Sequence, residues 1–182
     1  MQSIAPKLLI LDLDETLVYA TELPLDRPGD FEFDEYTVYK RPHVREFIEF
    51  CSLHFRLAVW TSSSESYARV IVSELFGNAY PLEFVWSRKR CTQKFNPEDY
   101  SYEWLKNLDK VRRRGYLLEQ TLMIDDTPAK LQRHYGNLVR VREFEGDPAD
   151  DELRRLMPYL LKLKDAENVR QLEKRNWRLT NA

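Results

Sequence analysis

The chain has 182 residues, 43% hydrophobic and 13% aromatic, enough for one well-filled core and too few for two ordinary domains. Its formal net charge of -2 argues against a nucleic-acid binder or a basic membrane-surface protein. Two cysteines, Cys51 and Cys91, and three scattered histidines offer no zinc-ligand spacing and suit a reducing compartment. No apolar run is long enough for a membrane span and the N-terminus lacks a secretory leader pattern, so a soluble, cytoplasmic single-domain protein over 1–182 is expected.

Lys7 to Leu13 predicts a buried parallel strand, a continuous apolar run behind Pro6 that ends in Asp12-Leu13-Asp14-Glu15-Thr16. Side chains alternate along a strand, so Asp12 and Asp14 point roughly the same way. Two like charges in one place need a cation or a shared proton, which points to a Mg2+ site with acid/base work attached. A plain strand with an Asx-type turn is the alternative reading.

Prolines 24 and 28, Gly29, Phe31, Phe33 and the β-prone Tyr36 to Tyr39 predict a small hairpin flap over 19–40. Arg41-Pro42-His43 opens a helix whose inner face carries Val44, Phe47, Ile48 and Cys51. Arg56 to Thr61 reads as a second strand. A helix with serine caps follows from Ser64, with Tyr67, Val70, Ile71 and Leu75 as its apolar face and Gly77 as its stop. Leu82 to Trp86 is a short strand, Ser87 to Asp99 a basic turn-rich segment, and Tyr102 to Leu108 a short helical or extended piece.

Leu117 to Ile124 is the next apolar run, and it ends in Asp125-Asp126-Thr127-Pro128, repeating the grammar of the first strand. A short helix over 128–135, a strand over 137–141 and amphipathic helices over 150–163 and 166–177 complete the chain. This alternation predicts an α/β fold, a central parallel sheet with helices on both faces.

In open α/β sheets ligands gather beyond the carboxyl ends of strands. Three such ends carry Asp12 with Asp14, Thr61 with Ser62, and Asp125 with Asp126. Two acidic ends and one rich in hydroxyls supply a metal site and donors to phosphoryl oxygens in one crevice.

Asp12-Leu-Asp-Glu-Thr-Leu-Val, Trp60-Thr61-Ser62, a lysine near Asn107-Leu108, and Asp125-Asp126-Thr-Pro together resemble the haloacid dehalogenase superfamily phosphatases. With Lys40-Arg41-Pro42-His43-Val44, they are similar to the branch of the small RNA polymerase II C-terminal-domain phosphatases, the NLI-interacting-factor-like group. The resemblance implies a Rossmann-like haloacid dehalogenase fold with a small β flap. It also implies a Mg2+-dependent phosphatase working through an aspartyl-phosphate, with Asp12 as nucleophile and Asp14 as acid and base. Thr61 with the backbone at Ser62 would hold a phosphoryl oxygen. Lys106, ahead of Asn107-Leu108, would neutralise charge, with Lys94 as its rival. Asp12, the Asp14 carbonyl and one or both of Asp125 and Asp126 would hold Mg2+, and Thr16 would order the turn.

Neither segment between motifs is long enough for a large cap, so the site should be open and suited to a phosphoserine or phosphothreonine of a protein or peptide. Arg88 could contact that substrate, or be a flap-edge arginine. Tyr19, Phe31, Phe33 and Trp86 could line a peptide groove, or hold the hairpin on the core. Arg112-Arg113-Arg114 reads as a solvated turn. A monomer is expected, with a nuclear location open if the source is a eukaryote. The competing functions are a small-molecule phosphatase of the same fold and a non-catalytic peptide-binding relative.

Overall fold

A computed structural model describes residues 6–98 and 100–179. Its centre is a five-stranded, wholly parallel sheet in the order β10-β9-β1-β5-β6. The strands are β1 (Leu8–Leu11), β5 (Arg56–Trp60), β6 (Leu82–Trp86), β9 (Thr121–Asp125) and β10 (Leu138–Arg140). β1 lies in the middle, in register with Arg56 to Val59 on one side and Thr121 to Ile124 on the other.

Strand alternation divides the core. Leu9, Leu11, Leu57 and Val59 face helices α1 (Val44–His54), α2 (Glu65–Phe76) and α4 (Glu152–Lys164). Leu8, Ile10, Ala58 and Trp60 face the other way, onto Phe84, Trp86, Leu108 and Val111. That second face is covered by the one-turn helix α3 (Asp109–Arg112) and by neighbouring loops, a thinner layer than the first. A fully buried Leu or Ile stabilises by about 1.5–3 kcal/mol, so both faces help fix the central strand.

The flap is a three-stranded antiparallel sheet, β2 (Val18–Thr21), β4 (Tyr36–Lys40) and β3 (Phe31–Phe33) in that order, larger than the expected hairpin by one strand. A second hairpin pairs β7 (Thr92–Asn96) with β8 (Ser101–Leu105), where the sequence suggested only a basic turn and an undecided piece. Its strands are mostly polar and exposed, which hid their period; Asp99 lies outside the described residues.

Two helix expectations are corrected. Residues 128–135 form a single-turn 3-10 segment, Pro128–Leu131, and a second 3-10 turn begins at Tyr135. Residues 166–177 are not a helix. They hold two 3-10 turns, Val169–Gln171 and Trp177–Leu179, and Val169 and Trp177 are pulled individually into the core. Trp177 Nε1 donates to Arg140 O at 2.8 Å, so tertiary anchoring replaces helical periodicity. No helix among the described residues is long and apolar enough to cross a membrane.

Candidate active site

The strand order places the carboxyl ends of β9, β1 and β5 side by side, and the acidic and hydroxyl residues emerge there. Asp12 leaves β1 with its backbone N–H still bonded to Ile124 O (3.0 Å). The chain then folds tightly: Leu17 and Val18 both donate to Leu13 O, and Glu15 takes a left-handed φ of 55°. A non-glycine residue in that region marks a turn over-determined by its surroundings.

Asp12 is 1% exposed and lies between two ammonium groups. Lys106 Nζ is 2.8 Å from its Oδ1 and Lys130 Nζ 3.2 Å from its Oδ2. Burial opposes the Asp12 charge, but the two lysines and the Leu13 N–H outweigh it and hold the carboxyl below the ordinary range. Lys106 also donates to Asp125 Oδ2 at 2.7 Å, while Thr127 N donates to Asp125 Oδ1 at 2.9 Å. Burial, and then the charge of Asp12, push Asp125 upward.

Lys106 is therefore the lysine brought to the acids, carried by the exit of β8. Lys94 stays half exposed against Gln132 and Glu103. Lys130 was not singled out from the sequence. Burial works against its charge, yet Asp12, Asp125 and Asp126 hold its ammonium above the usual lysine range. Its only signal was its place five residues after Asp125, on the single-turn segment that closes the crevice.

Asp14 faces a separate set of partners. Ser63 Oγ donates to its Oδ2 at 2.6 Å, Thr61 Oγ1 to the same oxygen at 3.2 Å, and the Tyr67 hydroxyl to its Oδ1. The cap of α2 makes this possible, because Ser64 Oγ accepts from Tyr67 N (3.2 Å) and fixes the first turn. Helical spacing alone puts Tyr67 on the apolar face of α2, and nothing in that spacing signals the hydroxyl's bond to Asp14. Neighbouring Glu15 is pushed up to about 8 by burial, and then by Asp14 and Asp126.

Thr16 Oγ1 donates to Asp126 Oδ1 at 3.3 Å and Thr127 Oγ1 to Asp126 Oδ2 at 2.7 Å. One oxygen each of Asp12, Asp125 and Asp126 lies within 4.8 Å of the other two. Three hard oxygen donors this close, in a crevice where burial and then neighbouring carboxylates already raise Glu15 and Asp125, suit a divalent cation.

A cleft of about 490 Å³ opens over Asp14, bordered by Phe33, Tyr36, Ser62, Tyr67, Arg88 and Trp104. Arg88 is exposed at its rim and donates from Nε to Ser62 O at 2.6 Å. Of the four aromatics considered for a groove, only Phe33 reaches this cleft. Trp86 is core, stacked on Phe84 with centroids 4.2 Å apart; Phe31 packs on the main core, and Tyr19 lies against Tyr39. Tyr36 and Trp104 take their place, because flap twist and hairpin pairing decide which rings face the opening.

A parallel sheet with acidic β1 and β9 ends, a hydroxyl-bearing β5 end and a buried lysine defines a haloacid dehalogenase-type phosphatase, a hydrolase of phosphoric monoesters. The chain belongs to the NLI interacting factor-like phosphatase family, whose model matches residues 7–170. It is 30% identical over 191 aligned residues to CTD nuclear envelope phosphatase 1B of Danio rerio, covering 97% of this chain and 74% of that protein. It is 34% identical over 174 to CTD small phosphatase-like protein 1 of Caenorhabditis elegans, covering 91% of this chain and 33% of that one. Among solved structures it resembles Fcp1, an essential RNA polymerase II CTD phosphatase, at TM-score 0.59 and 19% identity, over 87% of this chain and 49% of Fcp1. A haloacid dehalogenase-superfamily hydrolase of Geobacter sulfurreducens superposes at TM-score 0.54 and 14% identity, over 85% of this chain and all of that one. The chain thus spans about half of the Fcp1 structure and a third of the worm protein.

Proposed function

We propose that this chain works as one Mg2+-dependent phosphatase domain that removes phosphate from phosphoserine or phosphothreonine in proteins. The observation that carries the reading is Asp12, a buried carboxylate kept ionised by Lys106 and Lys130. Such a group is a ready nucleophile, and two cations stand where negative charge accumulates during phosphoryl transfer.

In the first step an Asp12 oxygen bonds to phosphorus as the bond to the serine or threonine oxygen breaks. Asp14 gives its proton to the departing oxygen, so the alcohol leaves neutral. In the second, Asp14 takes a proton from water as that water attacks the aspartyl-phosphate. Inorganic phosphate departs and the Asp12 carboxylate is restored. Thr61, the Ser62 backbone and Lys106 hold phosphoryl oxygens, and Arg88 contacts the substrate at the rim.

The side chains of Asp12, Asp125 and Asp126 with the Asp14 carbonyl would hold the ion. Bound magnesium offsets the repulsion between these acids and an incoming phosphate dianion. Thr16 and Thr127 orient Asp126 for that duty.

The open cleft, bordered by a thin flap and a hairpin with no large cap among the described residues, favours a chain-borne phosphate over an enclosed metabolite. The names of the relatives point the same way. Two buried free thiols fit a cytoplasmic or nuclear setting. The test is turnover of phosphoserine peptides against sugar phosphates and nucleotides with Mg2+ present. Peptide preference, lost in Asp12→Asn, is expected; a strong metabolite preference overturns the protein-substrate reading.

A further inference from the structure

We infer that the cleft along the outer edge of β10 is a docking site for acidic or multiply phosphorylated segments flanking the phosphate that is removed. The inference rests on the phosphoprotein reading above. The cleft has a volume of about 940 Å³, and six of its fourteen lining residues are Arg or Lys, against one acid, Glu173. In a chain of net charge -2 that density of positive charge is a local construction.

Some of the charge is spent internally. Arg175 pairs with Glu173, Arg178 with Glu152, and Arg170 approaches Glu119 at 3.9 Å. Lys174 is buried and donates to the Val169 and Leu172 carbonyls. Arg142 is exposed and within electrostatic reach of Asp150, and exposed Arg140 has no carboxylate within 4 Å among the described residues. A surplus of guanidinium groups remains, the side chains best shaped to take carboxylates and phosphates in a two-toothed grip.

Position ties this surface to the chemistry. β10 runs alongside β9 so that Arg140 is opposite Asp125, and Val141 N donates to Asp125 O at 3.2 Å. Pro128, on the same loop as Asp125 and Asp126, borders the cleft. An extended peptide whose phosphoserine enters the crevice can therefore continue over the edge strand with its acidic residues against Arg140 and Arg142. Single-stranded nucleic acid fits less well, because Tyr135 is the only aromatic among the lining residues and offers no series of stacking platforms.

The experiment compares a phosphoserine peptide flanked by glutamates with its glutamine counterpart, on the full chain and on the Arg140→Glu/Arg142→Glu double variant. The wild type should show a kcat/KM ratio of about tenfold or more in favour of the glutamate peptide, falling as salt rises, and the double variant should bring it to about one. Equal rates on both peptides in the wild type, or a ratio untouched by the double variant, overturn the docking site. If no phosphopeptide is hydrolysed at all, the phosphatase reading fails separately, and anisotropy of the labelled glutamate peptide still decides. Binding that the double variant abolishes supports the cleft; no binding, or tighter capture of a single-stranded RNA of equal charge, overturns it.

Discussion

Arg41 grips both carboxylate oxygens of Asp150, Nε to Oδ1 and Nη2 to Oδ2 at 2.8 Å each, across 109 residues of sequence. Its Nη1 donates to Thr16 O at 3.0 Å, and Thr16 in turn donates to Asp126. The guanidinium is fully buried and lies over Phe144, 5.3 Å from the ring centroid. A single two-toothed pair thus ties the entry to α1, the acidic turn and the approach to α4 into one unit.

Removing the carboxylate leaves a buried guanidinium without its counter-charge, so Asp150→Asn should lower unfolding stability by about 3 kcal/mol. Burial raises the Asp150 pKa, but the hydrogen bonds and charge of Arg41 outweigh it and hold the group below the ordinary value. For a depressed carboxylate, the stabilisation is fully present above the unfolded pKa of about 3.9 and is lost as pH falls through the folded value. Urea titrations at descending pH should show the wild type's advantage over Asp150→Asn shrinking progressively as pH falls below about 4; an advantage that stays constant however far the pH is lowered contradicts this assignment.

If Asp12 is the nucleophile proposed above, Asp12→Asn should abolish turnover of every phosphate ester. Asp14→Asn should slow phosphoserine peptides by about 10²–10⁴-fold and p-nitrophenyl phosphate far less, since nitrophenolate leaves without a proton. Equal losses on both substrates would remove Asp14 from the proton-transfer role.

Tyr67 holds one Asp14 oxygen while Ser63 and Thr61 hold the other. Tyr67→Phe should cost about tenfold in kcat on phosphoserine peptides, the size of one lost charge-assisted hydrogen bond, with KM nearly unchanged. The aryl phosphate rate should hardly move. A loss confined to KM would place Tyr67 in substrate binding instead.

Magnesium binding to the Asp12, Asp125 and Asp126 set should stabilise the folded chain. At a hundred times its Kd the ion adds about 2.7 kcal/mol, roughly 5–10 °C in Tm for a chain of this size. Differential scanning fluorimetry with Mg2+ and then with EDTA reads this directly, and Asp126→Asn should shrink the shift. An unchanged Tm at millimolar Mg2+ counts against the metal site.

The sequence alone determined the elements whose signals are local. β1, β5 and β9 are continuous apolar runs, α2 has its serine cap and glycine stop, and the acids sit at strand ends, so alternation and turn chemistry sufficed to place Asp12, Asp14, Thr61 and Asp125 in one crevice. Which distant groups meet them depends on packing between elements far apart in the chain. Lys106 and not Lys94 reaches Asp12: Lys94 sits on the exposed β7 against Glu103, while the chain leaving β8 turns in at Lys106, whose N–H bonds Lys130 O at 2.7 Å. Lys130, Tyr67 and the Arg41–Asp150 clasp stand 118, 53 and 109 residues from their partners, separations at which no periodicity carries information. The last helix expected from amphipathic spacing gave way for the same reason: Val169 and Trp177 gain more by entering the core singly than by completing turns.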